Sequence, residues 1–457
     1  MRKRYGKRES YLAIWRLAWP QILMMFFHFW IGFIDVYVAG RIDSRVQASL
    51  GLVTQMLFFL LIVAMSFSNG AVSTISQSLG ARRYLRARRF AYLCMEIALG
   101  AGFSLMLIGF FCRSVLIAIL RTPLSLIPIT DYFLKVYALL LPVYYQFIVT
   151  NGIFRARKKV HIPLLSIMLV SILNGIGDFG LCYGLWGLPR MGFKGLPWAT
   201  FASVSCGYLI NLIILCSHGW MRFQDLPPFK WIRAFFPYLW KVTWPIGLNQ
   251  LLWNLAYVVL FSITASLPVR PVVALAAFAA GIRMESLLFL PAFGFNMTAS
   301  ILVGQFLGMG DVEQARSMGM RIWLMGSAII SCMGAIMWIF LGPLSRILTA
   351  DVAVQMEIIR YLRFNIAAIP FTSTTMILAG TFVGSGATRY NLFCIGTMVW
   401  LVRVPCAYLL GHVIWRDASG IWASMLISQI LQASAMILLF FSGRWQNYAI
   451  KTPVRGG

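Results

Sequence analysis

Apolar residues recur along this chain in long blocks, separated by short polar stretches rich in Lys, Arg, Gly and Pro. A bilayer core takes about 20 consecutive apolar residues as helix, and block after block reaches that length. Backbone polar groups in lipid must be satisfied within the segment, so these blocks predict helices and not loops or open sheet. The spans expected are 14–38, 50–76, 90–112, 127–149, 162–183, 192–217, 241–265, 272–302, 318–341, 357–382, 389–412 and 419–442. The fold class that follows is an all-α integral membrane protein with 12 transmembrane helices.

The two halves of the pattern resemble each other. Trp19-Pro20 opens span 1 and Trp244-Pro245 opens span 7, 225 positions later. Gln77-Ser78-Leu79-Gly80 ends span 2 and Gln305-Phe306-Leu307-Gly308 ends span 8, at an offset of 228. Gly152-Ile153-Phe154 and Gly380-Thr381-Phe382 end the fourth span of each half, again at 228. With six spans in each half, both halves enter the membrane in the same direction. The expected architecture is therefore two pseudo-symmetric six-helix bundles, residues 1–217 and 241–457, rocking around a central cavity. A basic, Pro-containing cytoplasmic linker, 218–240, joins them. Such a duplication gives transport a physical basis. An enzyme does not need it, and a channel needs a filter or charged ring that the pattern lacks.

Composition agrees, with 60% hydrophobic and 11% charged residues, against about 25% charged in a soluble domain. A net charge of +26 would suit a nucleic-acid partner, but its placement argues otherwise. Most Lys and Arg lie in the two termini and in the loops after spans 2, 4 and 6, which the positive-inside rule assigns to the cytoplasm. The run Arg82 to Arg89 reads as an anchor at anionic headgroups. The expectation is a multi-pass protein of the inner (plasma) membrane, with both termini cytoplasmic and no nucleic-acid partner. Span 1 is too long for a cleaved signal and reads as an uncleaved anchor. The eight cysteines show no CxxC spacing, so neither a metal site nor a disulfide framework is expected.

Of 13 acids, Asp131 and Glu357 sit at span ends, and only Asp35, Glu96, Asp178 and Glu285 fall well within spans. A charge at mid-bilayer costs roughly 2.5–3.5 kcal/mol, which makes each a functional candidate. Asp35 and Asp178 both lie in the outer part of their spans. Asn174 stands one turn before Asp178 on the same face, and Thr200 begins from the outer side on span 6. Two carboxylates, an amide and a hydroxyl at similar depth can share a proton or hold Na⁺ through oxygen. Tyr132 and Tyr137 on span 4 are candidate donors to this cluster and candidate cavity residues, with core packing the equal alternative for either. Glu285 is a candidate cavity residue for a cationic substrate, or the partner of another helix. Glu96 reads as one side of a structural ion pair, Arg403 as structural, and His28 as packing near the Asp35 face. Pro20 removes a backbone hydrogen bond within span 1 and offers a point of bending. The many Phe, Tyr, Trp and Met residues suit a soft wall for organic cations.

Several short motifs run in one order along the chain. They are Pro20 with Asp35 and Gly40; Val72-Ser73 with Gln77-Ser78-Leu79-Gly80; Asn174 with Asp178; and Gly192-Phe193-Lys194-Gly195 leading to Ala199-Thr200. The second half adds Gly304-Gln305-Phe306-Leu307-Gly308, Gly384-Ser385-Gly386-Ala387-Thr388-Arg389 and Arg403-Val404-Pro405. From about Trp15 to about Phe441 the chain resembles the multidrug and toxic compound extrusion (MATE) family. The resemblance implies a secondary antiporter, with no enzyme activity, that exports organic, mainly cationic, compounds in exchange for H⁺ or Na⁺. Beyond the coupling ion no cofactor is implied. The partners expected are small organic cations and the lipid bilayer, and the protein is expected to be a monomer. One departure matters. The sodium-coupled branch carries carboxylates on spans 7 and 10, whereas span 7 here reads Leu252-Trp253-Asn254-Leu255 and the end of span 10 leads to Thr388-Arg389. The coupling site is therefore expected in the first half. The alternative is a flippase for a lipid-linked saccharide or cell-wall precursor, from the same superfamily; the few cations within spans favour export of drugs.

Overall fold

A computed structural model of the chain describes residues 7–119 and 122–450. Twelve of its helices are long and apolar enough to cross a membrane. They are α1 (Lys7–Ile42), α2 (Ser44–Gly80), α3 (Tyr84–Phe111), α4 (Ile127–Ala156), α5 (His161–Tyr183), α6 (Gly195–Ser217), α7 (Phe229–Ala265), α8 (Pro271–Gly308), α9 (Val312–Ile339), α10 (Val352–Ser385), α11 (Thr388–Ile414) and α12 (Ala418–Phe441). Every expected span has its helix. Most helices overrun the apolar blocks, because the backbone hydrogen-bond ladder continues into headgroup depth where side chains are already polar. The clearest case is α7, which starts at Phe229 inside the stretch expected to be a linker.

The loop acids begin the helices. Asp43, Asp311, Asp351 and Asp417 are the N-caps of α2, α9, α10 and α12, accepting from Arg45 N at 2.8 Å, Gln314 N at 3.1 Å, Ala353 N at 2.8 Å and Ala418 N at 2.8 Å. Each satisfies donors that the first turn leaves open. The Arg45 guanidinium beside Asp43 holds that carboxyl below the usual carboxylate range. Gly184, with φ +75°, closes α5 in the left-handed conformation that favours glycine.

The chain forms two compact units, residues 23–240 and residues 1–22 with 241–457. The boundary falls within α1, just after Pro20. Gln21 Nε2 donates to Thr298 Oγ1 on α8 at 2.8 Å, and the Arg321 guanidinium on α9 donates to Ser10 Oγ. The start of α1 thus groups with the second half, and the remainder of α1 with the first. Residues 218–240 pack within the first unit: Trp231 lies edge-on to Phe90 at 5.0 Å, and Asp225 pairs with Arg88 at 2.8 Å.

The sequence repeat is also a repeat of contacts. In the first unit Ser68 Oγ donates to Ile148 O at 2.9 Å; 228 positions on, Asn296 Nδ2 donates to Met376 O at 2.6 Å. Gln146 and Met95 are joined by a hydrogen bond of 2.8 Å, and so are their counterparts Thr374 and Trp323 at 2.8 Å. Gly152 lies against Ser68 and Gly380 against Asn296, so a glycine lets α4 approach α2 and α10 approach α8. Glu96 corrects one expectation. It is exposed on α3 and has no ion-pair partner among the described residues; the basic run after α2 pairs instead with Asp225.

Candidate functional site

In the first unit α5 and α6 meet through small residues. Gly177 leaves room for Ala199, and the start of α6 at Gly195 lies against the Leu181 and Cys182 backbone. Close approach of this kind relies on residues with little or no side chain. It brings the shared face of Asn174 and Asp178 onto Thr200. Asn174 Nδ2 reaches Thr200 Oγ1 at 3.4 Å, and the Thr200 hydroxyl donates to Leu196 O at 3.2 Å. From α1, Asp35 sits beside both Asp178 and Asn174. Asp178 and Asn174 are fully buried, and Asp35 is 6% exposed. The four residues expected to form one cluster do so, drawn from three helices that are distant in sequence.

No cation balances this cluster among the described residues; the charged group acting on Asp178 is Asp35. Asp35 Oδ1, both Asp178 carboxyl oxygens and Asn174 Oδ1 have no hydrogen-bond donor. The arrangement can accept a proton shared between carboxyls or a cation held by oxygen.

Tyr137 on α4 is buried beside Thr200 and within the field of Asp35, as a cluster donor must be. Tyr132 is not. Its hydroxyl accepts from Trp198 Nε1 at 3.0 Å and Lys194 Nζ stands 5.4 Å from its ring, so it belongs to the α4–α6 contact near the end of the unit. It lies five positions from Tyr137, more than one helical turn. His28 is exposed, with Arg155 as its charged neighbour rather than Asp35. Tyr144, not singled out by the sequence pattern, also faces Asp35. Its spacing of seven from Tyr137 places it two turns along the same face.

In the second unit Glu285 is buried on α8 and accepts the Tyr361 hydroxyl at 2.6 Å. Tyr361 in turn packs with Phe278 and Trp422 as an aromatic cluster with centroid separations of 4.8–5.6 Å. Of the two roles expected of Glu285, this placement matches partnership with another helix. Arg403 on α11 is fully buried, and its charge acts on Glu285.

The MatE family model matches residues 20–179 and 245–409, so each matched stretch starts at the proline of a Trp-Pro pair. The chain is 25% identical over 465 residues to the probable multidrug resistance protein NorM of Thermotoga maritima, across 96% of this chain and 94% of that one. The fold is similar to the outward-facing conformation of a multidrug resistance MATE family transporter of the MOP superfamily, with a TM-score of 0.87, 20% identity and 96% of each chain covered. It is also similar to the Vibrio cholerae MATE transporter VcmN, with a TM-score of 0.88, 18% identity and coverage of 95% of this chain and 97% of that one. With both halves matched and twelve membrane helices in place, the chain belongs to the MatE family and is a multi-pass membrane transporter, not an enzyme.

Proposed function

We propose that the chain is a secondary active antiporter, acting as a monomer, that exports bulky, mainly cationic organic compounds in exchange for protons. Asp35, Asp178, Asn174 and Thr200 form the coupling site. The observation that carries this reading is the buried carboxyl pair with no cation beside it. Two unit charges 4 Å apart repel by about 4 kcal/mol even at an effective dielectric of 20. Burial adds a desolvation cost for each ionised group. The pair is therefore poised to take up a proton or a cation, and its burial ties that uptake to conformation.

Export against a gradient needs an energy input. One charge moving down 100 mV supplies about 2.3 kcal/mol. Protonation drives transport only if it changes the relative stability of two states. Asp35 lies on α1, and Pro20 on the same helix leaves one turn without its backbone hydrogen bond. A proton at Asp35 is read out as a change in the path of α1. The substrate class draws support from the relatives named multidrug resistance proteins. An aromatic ladder on α1 adds to it, with Phe26 and Trp30 centroids 6.2 Å apart and Trp30 and Phe33 5.7 Å apart. Such faces attract organic cations.

The test is exchange in proteoliposomes. An imposed proton gradient should drive uptake of a fluorescent organic cation by the wild type. Asp35→Asn should bind the cation but not concentrate it. Wild-type uphill transport by Asp35→Asn removes the site. The unpartnered Asn174 Oδ1 favours a second reading, Na⁺ as the coupling ion; transport driven by sodium at fixed pH selects it. Translocation of a lipid-linked saccharide, with no transport across a panel of organic cations, replaces the drug-export reading by the flippase.

A further inference from the structure

The two units hold their buried acids differently. In residues 23–240, Asp35 and Asp178 have no cationic partner among the described residues. In the other unit the acid Glu285 stands in the field of Arg403, which is 0% exposed, without a direct ion pair between the two. Arg403 Nε donates to Ser428 Oγ on α12 at 2.7 Å, and its guanidinium carbon lies 5.0 Å from the Trp253 ring centroid on α7. Tyr257 on α7 stands beside both Arg403 and Glu285. Neither Nη1 nor Nη2 has a hydrogen-bond partner of good geometry. The remaining buried acid of this unit, Glu357, is already occupied by Arg360 at 3.1 Å and Trp422 Nε1 at 2.8 Å. Glu285 is thus the one buried acid left to balance Arg403 among the described residues.

The backbone is built for this placement. Residues 392–396, 398–403 and 409–414 of α11 are π-helical, and the middle stretch ends at Arg403. π-Turns are rare and cluster at functional sites, since each shifts the register of the side chains that follow. Pro405 comes two residues later, a further interruption of the ladder.

We infer that Arg403 is the built-in counter-cation of Glu285 and sets the ion selectivity of the transporter. It supplies, as part of the chain, the positive charge that a coupling cation would bring to this unit. A sodium ion at Glu285 meets a fixed guanidinium that cannot lose its charge, so the site stays closed to cations. Ion coupling is left to Asp35 and Asp178 alone. The inference rests on the proposed role of those two residues and adds that the transporter has a single coupling site.

The test uses the full-length protein in detergent, with thermal unfolding followed against NaCl at constant ionic strength set by choline chloride. Arg403→Gln should gain a sodium-dependent rise in midpoint, with half-saturation at least tenfold lower than any wild-type response. Arg403→Gln/Glu285→Gln should lose that gain. A folded Arg403→Gln with no more sodium response than wild type overturns the inference, as does a gain that survives in the double variant. If Arg403→Gln does not fold, the double variant should recover folding, because both members of the charge pair are gone; failure to recover overturns the pairing. A wild-type sodium response that persists in Glu285→Gln but is lost in Asp35→Asn belongs to the first unit. It would revise the proton as coupling ion and leave Arg403 in its role.

Discussion

At the scale of single residues, the deciding feature is whether a buried charge has a partner. Asp35 and Asp178 share one burden, so they should behave as one titrating unit and not as two independent sites. Asp178→Asn is therefore expected to abolish proton-driven accumulation as Asp35→Asn does. The double variant should be no worse than either single one, a non-additivity typical of groups that act together. Downhill counterflow of a labelled organic cation, which needs no coupling ion, should persist in all three variants. Additive losses in accumulation would show that the carboxyls work separately. The cluster was legible in the sequence because an acid within a span is costly and therefore informative, and because a spacing of four joins Asn174 to Asp178. Tyr361 and Tyr257 were not legible as neighbours of Glu285. They come from helices whose mutual approach depends on packing, which no periodicity along one segment encodes. The choice between cluster and packing for Tyr132 stayed open for the same reason: depth on α4 was readable, but its contact with Trp198 on α6 was not.

At the scale of helices, fit between backbones governs. A Cβ on Gly380 would lie 2.1 Å from Asn296 O, and one on Gly152 would lie 2.4 Å from Ser68 Oγ. Gly380→Ala must push α10 from α8, with a cost of about 1–3 kcal/mol for overpacking. Gly152→Ala should carry a cost of the same kind, because the Ser68 hydroxyl it meets is held by its hydrogen bond to Ile148 O and the Ser68 backbone carbonyl lies at 3.0 Å. Gly100→Ala on α3 meets nothing within 4 Å and should be neutral or stabilising by up to about 1 kcal/mol, the helical preference of Ala over Gly. Thermal unfolding in detergent gives the order directly; equal midpoints for Gly380→Ala and Gly100→Ala would contradict the close crossing. Pro20→Ala belongs here too. It restores a hydrogen bond in α1 without touching the carboxyl cluster, so it should leave the fold intact and lower the turnover of proton-driven export. Unchanged turnover would show that α1 need not bend there. Helix existence was readable from hydropathy throughout. The ends were not, since α7 begins within a polar, Pro-containing stretch whose local composition reads as linker.

At the scale of the molecule, the offset of 228 between halves was visible in three short motifs and returns as matching hydrogen bonds at Ser68 and Asn296. The grouping of residues 1–22 with the second half was not visible, because it depends on Gln21 and Ser10 finding partners some 300 positions away, a contact with no local signature. Orientation in the membrane is an expectation drawn from charge. The loops after α2, α4 and α6 hold clusters such as Arg82-Arg83 and Arg157-Lys158-Lys159, while the loop between α11 and α12 holds Arg416 with Asp417. Each basic residue near an anionic cytoplasmic leaflet gains about 1 kcal/mol, so several such loops together outweigh any single outer charge. Both termini should therefore be cytoplasmic. In a background with the eight native cysteines replaced, Asp417→Cys should react with an impermeant thiol reagent added to intact cells, and Arg82→Cys should react only after permeabilisation. Six spans separate each half from the same point in the other, so a cysteine at Arg82 and one in the corresponding loop after α8, at Gly310, must report the same side. Labelling of the two from opposite sides would mean that the halves enter the membrane in opposite directions, and parallel duplication would then no longer account for the repeat.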